Sequence, residues 1–302
     1  MYEKNNKKHI DRKESGNREV KKSDFGGKNF SKKLSGRRDF NRKTTMDEGF
    51  SVLSQEDEVH EVLEGRNSVY EALKAGRAIN KILVSKGDRE GSIKQIVAMA
   101  KEKGIIVQEV ERQKIDSISE TKSHQGVAAY VSAKEYVSVE EILEDAASKN
   151  EAPFILILDE IADPNNLGSI LRTAEVSGVH GVIIPKRRAV GLTAAVSKAS
   201  AGAIEYVPVA RVTNIVQTIE YLKKQNIWVV GTDSTGEKAF YESDLKGAIA
   251  LVIGSEGKGM TRLVGESCDF TVNIPMKGKI SSLNASVAAG IVMYEVSRQR
   301  GM

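Results

Sequence analysis

The chain has 302 residues, 40% of them hydrophobic and 28% charged, with a net charge of +4: a globular composition with room for two ordinary domains. No apolar run reaches the ~18 residues of a membrane-spanning helix, and the basic N-terminus has no apolar stretch after it to make a secretory signal. The single cysteine, Cys268, excludes an internal disulfide, and His9, His60, His124 and His180 lack zinc-ligand spacing, so a reducing, cytoplasmic setting without a bound metal is expected.

Residues 1–50 carry 15 Lys/Arg against 8 Asp/Glu, whereas the rest of the chain is slightly acidic. The segment is rich in Lys, Arg, Asn, Ser and Gly and has neither helical nor strand periodicity. It cannot bury enough surface to offset its ordering entropy, so residues 1–58 are expected to be a disordered basic tail. Such an arm binds phosphates without reading sequence, or serves as a solubilising extension.

Residues 59–134 alternate between strand and helix: helix over Asn67–Ala75 with Gly76 as its stop, strand Ile79–Val84, helix Ser92–Lys103, strand Ile105–Val110 and strand Gly126–Ala133. This reads as a small α/β domain. Residues 135–152 are charged and Ala/Ser-rich, a short helix or a hinge. From Pro153 to the C-terminus the pattern is denser. "FILILDEI" is a continuous apolar run of the kind found in a strand buried on both faces. Further strands are expected at 181–185, 206–212, 227–233, 248–256 and 270–276, most of them separated by helical stretches. Residues 153–302 therefore predict an α/β domain with a parallel sheet and helices on both faces.

Three stretches of this second domain set glycines and polar residues at strand ends, where open α/β sheets bind ligands. In "LDEIADPNNLGSILRTAEVSG" a strand gives way to a helix carrying Gly168 and Arg172 four apart, on the face away from Leu167, Ile170, Leu171 and Ala174. A glycine one turn before an arginine leaves room for a ligand to reach the guanidinium. Read singly, Asn165 or Asn166 serves equally as a helix cap and Arg172 as a surface arginine. In "LVIGSEGKGM" Gly254, Gly257 and Gly259 enclose Glu256 and Lys258; this is neither a P-loop nor G-x-G-x-x-G. It is a turn whose amides can approach a ligand, or a flexible surface turn. In "NIPMKGKISSLNASVAAGIVMYEVSRQR" a strand and a basic loop precede a helix expected to start near Ser281/Ser282, with Leu283, Val287, Ile291 and Tyr294 on one face. Ser282 and Asn284 then fall in its first turn, as ligands or as caps.

Together these stretches, Asn-x-Gly-x-x-x-Arg, Gly-x-Glu-Gly-x-Gly and Ile-Pro-Met…Ser-Ser-Leu-Asn-x-Ser-Val-Ala, resemble the three motifs of the SpoU (TrmH-type) branch of SPOUT RNA methyltransferases across residues 154–300. "GRNSVYEAL" and "HQGVAA" in the first domain resemble the RNA-substrate-binding domain attached to many of these enzymes. The likeness is strongest to the branch that methylates a guanosine ribose of bacterial 23S ribosomal RNA, and transfer RNA is the alternative substrate. The resemblance implies a C-terminal SPOUT domain with a trefoil knot, S-adenosyl-L-methionine as cofactor, and a homodimer with its site near the subunit interface. Carried onto this chain it assigns the cofactor to Gly231, Thr232, Gly254, Ile274, Met276 and Leu283. It assigns the chemistry to Arg172, Asn166, Glu256, Ser282 and Asn284, with Asn166 orienting substrate or Arg172, and Glu256 pairing with Arg172 or fixing the loop. Pro185–Arg188, Lys277 and Lys279 are expected to meet RNA phosphates or to be solvated surface. Two other classes compete: a non-catalytic RNA-binding or ribosome-assembly factor on the same fold, and a nicotinamide oxidoreductase, for which G-x-G-x-x-G is missing after the first strand.

Overall fold

A computed structural model describes residues 61–87, 91–236 and 238–301. The expectation of a disordered tail over 1–58 lies outside the described residues. The first sheet is built from β1 (Glu61–Glu64), β2 (Ile79–Ser85), β3 (Ile106–Val110) and β4 (Val127–Val131), in the order β1-β4-β2-β3. Helices α1 (Arg66–Ala75), α2 (Ser92–Glu102) and α3 (Arg112–Ile118) accompany it. Gly76 closes α1 in the left-handed region, as expected, and returns its N–H to the Leu73 carbonyl at 3.3 Å. β1 and α3 had no expected counterpart: four and seven residues are too few for a period to stand out.

Residues 135–152, read as helix or hinge, contain α4 (Val139–Ser148), started by a reciprocal cap between Ser138 and Glu141. Val139, Ile142 and Ala146 are buried, so α4 packs on the second sheet. That sheet comprises β5 (Phe154–Leu158), β6 (Gly181–Pro185), β7 (Val209–Val212), β8 (Trp228–Thr232), β9 (Lys238–Ala239), β10 (Ile249–Ile253) and β11 (Phe270–Asn273). Its order is β7-β6-β5-β10-β8-β11-β9, and the recorded pairings are parallel. α5 (Pro164–Val176), α6 (Ala194–Ala199), α7 (Ile215–Lys224), α8 (Arg262–Ser267) and α9 (Ala285–Gln299) complete the unit.

Every residue of β5 is buried, which accounts for its unbroken apolar run. Phe154, Leu156 and Leu158 pack with α5 and α9, while Ile155 and Ile157 face α4 and α7. Side chains alternate across a strand, so a sheet covered on both sides demands apolar residues at every position.

His180, just before β6, shows how tightly the sheet's entry is closed. Its Nδ1 accepts the Phe154 N–H at 3.0 Å, and its Nε2 lies 3.0 Å from Glu151. Burial lowers the His180 pKa below its ordinary 6.5, against the opposing pull of Glu151. The native imidazole therefore resists a proton that the unfolded chain accepts. Stability present above that ordinary value is lost as pH falls through the lowered native one. Denaturant unfolding from about pH 7 to about pH 5 should show this loss, and His180→Gln should flatten the slope. Identical slopes in both proteins would remove His180 as its source.

Two expectations for the helices are corrected. α9 starts at Ala285, not near Ser281/Ser282, because the Asn284 side chain takes the Ser286 and Val287 N–H groups and caps it. Its core face is Ala285, Ala289, Val292, Met293 and Val296; on the face picked out by helical spacing, Val287 and Tyr294 are each 49% exposed. Both faces are apolar, and periodicity alone does not say which one turns inward. Gly168 is also buried instead of opening space beside Arg172. A Cβ there would lie 2.4 Å from Ala199 Cβ and 2.8 Å from the Ser200 nitrogen, so its bare backbone is what brings α5 against α6.

Candidate functional site

The carboxyl ends of β8, β10 and β11 open on a cleft of about 270 Å³. Apolar walls come from Ile253, Val272, Ile274, Met276 and Leu283, and a polar rim from Asp233 and the loop after β10. Of the residues expected to hold a cofactor, Thr232, Gly254, Ile274, Met276 and Leu283 line the cleft. Gly231 does not. It precedes Thr232 on the strand and points to the opposite side, where a Cβ would meet Met260 Cε at 2.7 Å and Cys268 Sγ at 3.1 Å. Burial pushes the Cys268 thiol up to about 12, so it stays protonated beneath the sheet and supplies no nucleophile.

The loop after β10 folds onto itself. Ser255 and Gly259 exchange backbone hydrogen bonds at 3.1 and 2.9 Å, and Gly257, at φ +75°, makes the reversal that an L side chain resists. Gly254 is required because the returning strand passes over it: a Cβ would sit 2.1 Å from the Gly259 carbonyl carbon. These glycines therefore build the loop's shape, which refines the expectation that they bring amides to a ligand.

At the tip of that loop Glu256 joins it to two distant segments. Its Oε1 accepts from Asn166 Nδ2 at 3.0 Å, from the Ala285 backbone N–H at 3.2 Å, and from Asn284 Nδ2. Asn284 Nδ2 also donates to Asn166 Oδ1 at 2.8 Å. Asn166 is free to do this because Asp163, with Pro164 behind it, caps α5 by accepting the Asn165 N–H at 2.6 Å. A carboxylate at the amino end of α9 is also favoured by the helix dipole.

The sequence-predicted catalytic residues thus divide. Asn166, Glu256 and Asn284 form one hydrogen-bonded cluster at the cleft's edge, and Ser282 lines the cleft. Arg172 stands apart on the exposed side of α5. The recorded partners of Glu256 are the two asparagines and the Ala285 amide, so of the two expected roles the structure has the loop-fixing one. Sequence reasoning gave no site role to Asp233, Lys258 and Ser281, which are in the lining. It also missed Asp159, 4% exposed, whose Oδ2 accepts the Thr261 N–H at 2.6 Å and ties β5 to the end of the loop. Asp159 and Asp233 carried a usable signal: each is the first charged residue after an apolar strand. Among the described residues no cluster of His, Cys, Asp and Glu has the makings of a metal site.

Two family models match the chain: the SpoU rRNA methylase family over residues 153–294, and the RNA 2′-O ribose methyltransferase substrate-binding domain over 62–137. A Bacillus subtilis protein, YacO, named as a TrmH family tRNA/rRNA methyltransferase, is 54% identical over 74% of this chain and 90% of its own. A Staphylococcus saprophyticus protein named for the same family is 51% identical over 75% and 90%. Among solved structures, the SpoU methyltransferase AviRb of Streptomyces viridochromogenes, in complex with AdoMet, shares the fold at TM-score 0.67, with 24% identity over 80% of this chain and 90% of its own. An rRNA methyltransferase of Sinorhizobium meliloti gives TM-score 0.65 at 26% identity, over 80% and 88%. The parallel sheet, the three motifs meeting at one cleft and these likenesses agree: the chain belongs to the SpoU (TrmH) family of RNA methyltransferases, whose methyl donor is S-adenosylmethionine.

Proposed function

We propose that this protein methylates a ribose 2′-hydroxyl of RNA, a guanosine of 23S ribosomal RNA, with S-adenosylmethionine in the cleft at the ends of β8, β10 and β11. The observation that carries this reading is the convergence of Asn166, Glu256 and Asn284, from three motifs far apart in sequence, at the rim of one apolar-walled cleft. The lining suits the donor: Ile274, Met276 and Leu283 offer apolar contact for a heterocycle, and Thr232, Asp233 and the loop at Gly254 offer polar atoms. Bound there, S-adenosylmethionine supplies a methyl group already activated on a sulfonium.

The protein's own part is to bring a weak nucleophile to that methyl and assist loss of its proton. Arg172 holds the ribose hydroxyl and the adjoining phosphate, a positioning task that the planar, multi-donor fork of a guanidinium suits. Asn166 and Asn284, fixed by Glu256, shape the approach, and Ser282 completes the rim. Lys186 and Arg187, both exposed after β6, together with Lys277 and Lys279, extend a phosphate-binding surface, while Arg188 is held by Glu160 at 3.0 Å. The basic tail adds contacts of the same kind.

The same proposal includes a homodimer and the trefoil knot. The exposed Val287 and Tyr294 of α9, with the half-buried Ile291 between them, offer an apolar face for a second copy, and the meeting of the 254–259 loop with the 274–284 segment at Glu256 suits a knotted passage. A cytoplasmic location follows from a ribosomal RNA substrate.

The test is to map 2′-O-methyl sites in 23S and transfer RNA from cells with and without the protein, and to restore it as wild type or Arg172→Ala. One guanosine site in 23S RNA should vanish and return only with wild type. In vitro, Arg172→Ala should keep its affinity for S-adenosylmethionine and lose transfer by about a hundredfold. A site lost from transfer RNA instead would replace the substrate assignment, and full turnover by Arg172→Ala would remove that residue from the mechanism.

A further inference from the structure

The first sheet's unit is joined to the second by a cluster of buried charge. Arg77, in the turn between α1 and β2, reaches Glu205 Oε1 with Nη1 at 2.7 Å and Glu61 Oε2 with Nη2 at 2.8 Å. Its Nε and Nη2 also donate to the Ser132 carbonyl, at 3.1 and 2.8 Å. The side chains of Arg77 and Glu205 are 7% and 1% exposed. Lys134 closes the cluster by donating to the Glu205 carbonyl at 3.1 Å.

Around this pair the same short segment, 197–206, makes further contacts to the first unit. Tyr206 donates to Glu71 at 2.6 Å, Ser68 to the Ser197 carbonyl at 3.5 Å, and Lys198 to Thr121. The segment begins in α6, which the bare backbone of Gly168 draws against α5. α5 carries Asn166 and Arg172. A continuous packed path therefore runs from the first unit through Glu205 and α6 to the helix at the cleft.

Burying two charges costs desolvation that their attraction rarely exceeds, so the pair is a poor source of stability. What a planar guanidinium held in several directions does supply is one fixed geometry. We propose that Arg77 and Glu205 are positioning residues for the RNA substrate. They hold the first unit at one distance and angle from α5, so that an RNA gripped by that unit presents its ribose at the cleft. This inference rests on the function proposed above. Two surfaces held rigidly at the right span act as a bivalent site, and loosening their connection lowers the effective concentration of one for an RNA held by the other.

Glu205→Gln and Arg77→Lys in the full chain test it, with in vitro transcripts of 23S and transfer RNA as substrates. Arg77→Lys keeps the charge but cannot reach three partners at once. In both variants KM for RNA should rise about tenfold while kcat stays within about twofold, with unchanged affinity for S-adenosylmethionine. An unchanged KM overturns the proposal, as does a rise matched by equal loss of cofactor affinity, which would mark a merely structural pair. A second measurement does not need turnover. Spin labels at Lys94→Cys and Lys224→Cys, in a chain with Cys268→Ser, report the distance between the units. Should the wild type methylate neither RNA, the substrate reading fails, and the label distances alone decide the coupling: a broadened distribution in Glu205→Gln upholds it, and an unaltered one overturns it.

Discussion

Glu256→Ala should reduce methyl transfer on the order of a hundredfold while leaving the protein folded. The substitution removes the one acceptor shared by Asn166, Asn284 and the Ala285 amide, so α5 and the start of α9 lose their common attachment to the loop. Asn166 and Ala285 are themselves only 9% and 4% exposed, but Glu256 is exposed, so its removal opens the place of its carboxylate to water that can take over the abandoned donors. The stability loss is then small, below about 1 kcal/mol, instead of the full penalty for buried unsatisfied groups. Activity is more sensitive, because misplacing a reacting group by about 1 Å is enough to lose two orders of magnitude in rate. Glu256→Gln keeps a carbonyl acceptor and should fall between Ala and wild type. Single-turnover transfer to RNA, read beside thermal unfolding, separates the two effects. Turnover within about threefold of wild type in Glu256→Ala would mean that the cluster does not prepare the site.

Gly254→Ala should all but abolish cofactor binding. Its Cβ would fall 2.1 Å from Gly259 C and 2.2 Å from the Met260 nitrogen, and both neighbours are backbone, which cannot swing aside as a flexible side chain can. The loop must move, breaking the Ser255–Gly259 pairing and shifting Glu256 with it. Overpacking of this kind costs up to about 3 kcal/mol. If the cleft must regain its shape to bind, that cost appears as about a hundredfold loss of affinity. Titration calorimetry with S-adenosylmethionine measures it, and wild-type affinity in Gly254→Ala would show that the loop's path is unimportant to the donor.

The main architecture was legible because its signals are local. β5 announces itself as an apolar run, Gly76 as a helix stop, and the glycine-bearing loop as a turn after a strand. The site was legible only as three motifs considered together; each one alone reads equally well as capping or turn chemistry. Asn284 turned out to be both, capping α9 with Oδ1 and joining the cluster with Nδ2. What could not be read was direction. Gly231 and Thr232 are adjacent, yet one packs beneath the sheet and the other faces the cleft, and the choice depends on which strand edge meets which neighbour. Gly168 misled for the same reason: a missing side chain signals close approach, but sequence does not say whether a ligand or a helix approaches. Glu256 was given two roles, and only the positions of Asn166 and Asn284 show which partners it has.

The position of β10 has a consequence for how the chain is made. It pairs with β5 on one side and β8 on the other, yet it follows both in sequence. Until residues 249–253 leave the ribosome, β5 and β8 each present an unsatisfied, strongly apolar edge with no strand between them. Most of the second domain must therefore wait, incomplete and adhesive, for one late insertion, and a nascent or truncated chain ending before that strand is a substrate for chaperones instead of a smaller enzyme.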